Sequence, residues 1–144
     1  MAALSTGAAE LLRRAGWTES YRIDTGRFRQ VLESRGYTVH RPVLEFLEQY
    51  GGLRVQMRFL GRPDHVEHWH LDAEEAAGSF NVRDVHEMGL QVGAQLCPIG
   101  NACNGHWLLL MDERGRVFAG GEGDVTLLGD SGEAAIEDIC HGAG

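Results

Sequence analysis

The chain has 144 residues, 43% of them hydrophobic and 24% charged, with a net charge of −8; this describes one globular domain around a single core and excludes a disordered tail. The acidic balance argues against nucleic acid and anionic membranes as direct partners, because both repel the average surface, and it favours a basic partner instead. No apolar run approaches the roughly 18 residues that a membrane span needs, the longest running from Trp107 to Met111, and the start lacks the pattern of a secretory signal, so the chain is expected to be cytoplasmic.

Charge is unevenly spread. Residues 1–63 hold ten arginines against six acids, net +4, while residues 64–144 hold three arginines against fifteen acids, net −12. An acidic face, if one forms, must come from the second half. The chain contains no lysine, which GC-rich coding explains better than selection for arginine geometry.

The first helix is expected over Leu4 to Ala15. It carries Ala8, Leu11, Leu12 and Ala15 at helical spacing behind Ser5 and Thr6 as N-caps, with Gly16 as its stop. A second starts at Asp24 or Thr25, presents Phe28, Val31 and Leu32, and stops at Gly36. A third opens with Pro42, lines up Val43, Phe46, Leu47 and Tyr50, and ends at Gly51-Gly52. The period then changes to two: Leu53, Val55, Met57 and Phe59 alternate with Arg54, Gln56 and Arg58, the pattern of a half-buried strand. Gly61-Arg62-Pro63-Asp64 reads as the turn of a hairpin with a longer loop, and His65 to Leu71 as its second strand.

Asp72-Ala73-Glu74-Glu75 reads as a capping box opening a short helix, with Asp72 on the free amides and Glu75 reaching back. Asn81 to about Val92 forms another helix through Val82, Val85 and Met88. Four strands are expected at Gln95–Ile99, His106–Asp112, Arg116–Ala119 and Val125–Leu128. They are separated by loops at Gly100–Gly105, Glu113–Gly115 and Gly120–Asp124, with a tight hairpin at Asp112–Gly115. A last helix capped by Asp130 or Ser131 turns Ala135, Ile136, Ile139 and Cys140 inward and closes at Gly142. The whole is a single α+β domain over residues 1–144: N-terminal helices, a mostly antiparallel sheet and a C-terminal helix.

Few of these residues announce chemistry. His65, Glu67, His68 and His70 are potential zinc ligands, but on a strand His68 and His70 share one face and His65 and Glu67 the other, so at most two histidines meet locally. His68 and His70 therefore stand as an alternative metal site, with no cofactor as the main expectation. Cys97, Cys103 and Cys140 read as reduced, mostly buried thiols rather than disulfides or activated nucleophiles. Gly120-Gly121-Glu122-Gly123-Asp124 lacks the Lys-Ser/Thr ending of a phosphate loop, and its acids would repel phosphate. Trp17 and Trp107 read as core residues; Trp69 is left undecided, since its histidine neighbours make the opposite face polar, and if that face meets solvent His68 and His70 line a surface. Nothing demands catalysis.

Ala15-Gly16-Trp17, Leu47-Glu48-Gln49-Tyr50-Gly51-Gly52-Leu53, Leu71-Asp72, Pro98-Ile99-Gly100, the Met111-Asp112 to Gly115-Arg116-Val117 hairpin, and Leu128-Gly129-Asp130-Ser131 with Glu133-Ala134-Ala135 follow one another in a distinctive order. Together they resemble the SUKH superfamily, specifically its third subgroup, over about residues 11–142. The resemblance implies an α+β fold and a non-enzymatic immunity protein that occludes a polymorphic toxin, often a nuclease or deaminase. A basic cognate toxin is the expected partner, with neither nucleic acid nor membrane. The acids Glu67, Asp72, Glu74, Glu75, Glu113, Glu122 and Asp124 are the candidate contacts, although carboxylates at a helix start also simply complement its dipole. A regulatory scaffold that binds a host protein, and a small metal-binding protein, are the alternatives.

Overall fold

The N-terminal helices form where caps and apolar spacing coincide. In a computed structural model describing residues 4–59, 62–121 and 123–141, α1 (Thr6–Arg14) is capped by the Ser5 hydroxyl, which accepts from the Ala8 amide at 3.2 Å. α2 (Gly26–Ser34) buries Leu32, and α3 (Arg41–Tyr50) buries Val43, Phe46, Leu47 and Tyr50 along one stripe. Six antiparallel strands follow as one sheet in chain order: β1 (Arg54–Phe59), β2 (Arg62–His70), β3 (Cys97–Ala102), β4 (Trp107–Met111), β5 (Val117–Gly121) and β6 (Asp124–Gly129). α4 (Ala73–Ser79) and α5 (Val82–Val92) are inserted between β2 and β3, and α6 (Gly132–Cys140) ends the fold. The expected single α+β architecture is the one observed. Among the described residues, no helix is long and apolar enough to cross a membrane.

Helices cover both faces of the sheet centre. On one side Met88 of α5 lies against Leu110 and Gly120; on the other Ile139 of α6 lies beside Leu109 and Ala119. This explains the unbroken apolar run in β4: Leu108 to Met111 are each no more than 2% exposed, because neither side of the strand meets water. The outer strands β1 and β2 alternate instead. Val55, Met57 and Trp69 are buried, while Arg54, Gln56, Arg58 and His68 face solvent.

Several boundaries differ from the sequence reading. Of the turn expected at Gly61 to Asp64, Gly61 lies outside the described residues, and Arg62 to Asp64 belong to β2. Arg58 pairs with Val66 but Phe59 with Arg62, so the extra residues of β2 are taken up in a bulge rather than a long loop. β3 runs on through Gly100, Asn101 and Ala102, and β5 through Gly120 and Gly121, all expected to be loop. In both places the glycine serves close packing: a Cβ at Gly120 would stand 2.6 Å from Met88 Sδ, and one at Gly100 would stand 2.0 Å from the His70 carbonyl oxygen. The expected closing residue of α6, Gly142, lies outside the described residues.

The tight hairpin between β4 and β5 is as expected, and its cause is a buried carboxylate. Asp112, fully buried, accepts from the Arg114 and Arg116 amides at 2.9 Å each and from Arg116 Nε at 2.7 Å. A buried carboxylate is tolerated only when its oxygens are satisfied in this way.

Because the obstacle at Gly100 is backbone, it cannot swing aside. Gly100→Ala should destabilise the fold by about 2–3 kcal/mol, read as a lower urea midpoint at unchanged slope.

Candidate functional site

Concave surfaces flank the β1–β2 hairpin on both faces, and two of them gather residues singled out from the sequence. The first is a polar cleft of about 520 Å³ between the hairpin, the start of α4 and the β3–β4 turn, lined among others by Arg54, His68, His70, Glu75 and Asn104. The α4 cap organises it. Asp72 Oδ1 accepts from the Glu75 amide at 3.0 Å, as the capping signature requires. Glu75 does not reach back to the Asp72 amide, however. That amide donates to His70 Nδ1 at 3.1 Å, while the Glu75 carboxylate lies 2.7 Å from Arg54 Nη2 and 3.0 Å from His70 Nε2. The guanidinium and imidazole outcompete a single backbone N–H for the carboxylate.

This arrangement defines the state of His70. Nδ1 accepts, so Nε2 carries the proton and donates to Glu75: the ring is the neutral Nε2–H tautomer. Burial lowers the pKa of His70 from its ordinary value, outweighing the carboxylates of Glu75 and Asp72. The Arg54 hydrogen bond holds Glu75 below the usual carboxylate range. Both His70 nitrogens are thus engaged within the protein, while the neighbouring His68 is exposed with its backbone amide bonded to Asn104 Oδ1 at 2.8 Å. Among the described residues no three His, Cys, Asp or Glu side chains gather where they could hold a metal ion. As strand alternation requires, His65 and Glu67 share the opposite face, 3.1 Å apart.

The second surface is an apolar groove of about 290 Å³ on that opposite face, running between Met57, Glu67 and Trp69 of the hairpin, Leu128 of β6, and Asp138 and Ile139 of α6. Trp69, left undecided by the sequence, is only 2% exposed, and its Nε1–H has no hydrogen-bond partner. Leaving such a donor unpaired costs about 1–3 kcal/mol. Trp107, expected in the core, is half-buried and lines the same groove. Trp69 is buried because it follows Glu67 onto the face opposite the exposed His68.

The sequence-derived acids do not form one patch. Asp72, Glu74 and Glu75 cluster at the start of α4, but arginines of the first half meet them: Arg27 holds Glu74 through two bonds of 3.0 and 2.8 Å, and Arg54 holds Asp72 and Glu75. Glu67 stands across the sheet in the apolar groove. Glu113 sits on the β4–β5 hairpin, facing the Gln95 amide at 3.4 Å, and Asp124 is exposed at the other end of β5. Glu122 lies outside the described residues. Reading the sequence missed Asp138, which lines the same groove as Glu67 because α6 packs on the sheet.

All three thiols are free. Burial pushes Cys97 and Cys140 up to about 12, as expected of inert core thiols. Cys103 corrects the expectation of burial: it is exposed, in the left-handed β3–β4 turn. Iodoacetamide should therefore label Cys103 alone in the native protein and all three thiols after denaturation, checked by intact mass.

His70 also predicts a pH dependence. Its folded pKa lies below the unfolded value near 6.5, so the unfolded chain binds more protons as pH falls past about 6.5, and the stabilisation present above that pH is lost on acidification. Urea midpoints should fall between about pH 7.5 and 5.5, and His70→Gln should flatten that part of the profile.

Comparison with known proteins gives one clear result. A family model described as SUKH-3 immunity protein matches residues 4–142. No curated protein and no solved structure matches the chain at a significant level. With nearly its full length covered and an α+β fold in the expected order, the chain belongs to the SUKH-3 immunity protein family, within the SUKH superfamily.

Proposed function

We propose that this chain is an immunity protein that neutralises a cognate polymorphic toxin by binding and occluding it. The observation that carries the reading is the family match over residues 4–142. An immunity family implies a toxin protein as partner; the finer identification, a basic nuclease or deaminase met in the bacterial cytoplasm, rests on charge. A toxin that grips nucleic acid is basic, and a chain of net charge −8 gains encounter rate and selectivity from the opposite potential.

Binding rather than catalysis is supported by the chemistry of the surfaces. In the polar cleft, His70 is tied at both nitrogens and Glu75 is neutralised by Arg54, so neither is poised to move a proton. The two buried thiols are pushed away from the reactive thiolate form. On this reading the protein works without a cofactor.

The purified toxin domain encoded beside this chain should bind it, and raising salt from about 50 to 300 mM should weaken the complex severalfold. Co-expression should also protect cells from that toxin. Calorimetry showing no complex at either salt concentration would overturn the proposal.

A further inference from the structure

The geometry points to the groove between the β1–β2 hairpin, β6 and α6 as the toxin-docking site, occupied by a cationic side chain, arginine or lysine, on an extended segment of the toxin. The inference rests on the immunity reading and names the contact surface within it.

Two features converge there. The walls are apolar: Met57, Trp69, Leu128 and Ile139 offer a surface suited to the methylene stem of a long basic side chain, and half-buried Trp107 offers an indole face. Two carboxylates are set into those walls, Glu67 from β2 and Asp138 from α6. Among the described residues Glu67 is paired with the ring of His65 at 3.1 Å, and Asp138 is exposed and in no ion pair. This separates them from Glu74 and Glu75, whose charges the protein's own arginines already meet. An apolar trough edged by two carboxylates is complementary to a cation with a long stem, which an anionic or purely aliphatic occupant would not match.

The strand β6 provides a charge-matched test. Thr126 and Leu127 are both exposed; Thr126 lines the groove, while Leu127 points to the opposite face of the strand. Thr126→Arg places a cation where the toxin's would sit, and Leu127→Arg adds the same charge elsewhere. Each variant, with Glu67→Gln and Asp138→Asn, would be titrated against the purified toxin domain encoded beside this chain, after thermal melting confirms that it folds. Expected are affinity losses of about tenfold or more for Thr126→Arg, Glu67→Gln and Asp138→Asn, and less than about twofold for Leu127→Arg. The Trp69 indole NMR signal should also shift on complex formation. If the unsubstituted chain binds and the three groove variants bind equally well, the groove is not the docking site although the immunity reading stands. If the unsubstituted chain does not bind, both fail.

Discussion

The sheet is continuous only because two backbones approach each other without a side chain between them. β2 and β3 share a single register pair, His70 with Asn101, and Gly100 lets the His70 carbonyl and Leu71 lie against β3. The joint is reinforced around that point. Asn104 of the β3–β4 turn bonds the His68 backbone through both its amide and its side chain, and the buried Asn101 side chain bridges to Ser79 of α4 and the Trp107 carbonyl. Both concave surfaces exist because of this joint. With the hairpin carried beyond the end of β3, its two faces are left only partly covered by helices, one becoming the polar cleft and the other the apolar groove.

Part of the charge asymmetry along the chain is met inside the fold, at the start of α4. Arg27 and Arg54 from the basic half meet Glu74, Asp72 and Glu75 from the acidic half, tying α2 and β1 to the start of α4. Exposed pairs of this kind contribute little individually, about 0–1 kcal/mol. They nonetheless decide which carboxylates remain available to a partner. Net charge therefore predicts the sign of the partner better than it predicts the position of the contact.

Local signals were legible where they were complete within a few residues. The Ser5, Asp72 and Ser131 caps, the α3 stripe and the Asp112 hairpin all formed as read, because each depends on neighbours within a turn or two. Readings failed where a distant group competed. Glu75 left its capping role for Arg54 and His70, and Gly100 and Gly120, which look like loop residues, became strand because a carbonyl and a methionine needed their empty space. Trp69 had the right alternation with Glu67 but no sequence signal that α6 would cover that face.

The sequence by itself determined the element order, the α+β class, the family and the acidic character of the chain, since periodicity, caps and net charge are properties of neighbouring residues or of the whole. Only the tertiary structure decided which acids are neutralised, which tryptophan is buried and which residues share a surface. Glu67 and Asp138 are 71 positions apart in the numbering, and no local rule relates them. They line one groove because a six-stranded sheet must bury its apolar face, and α6 is the helix that packs there.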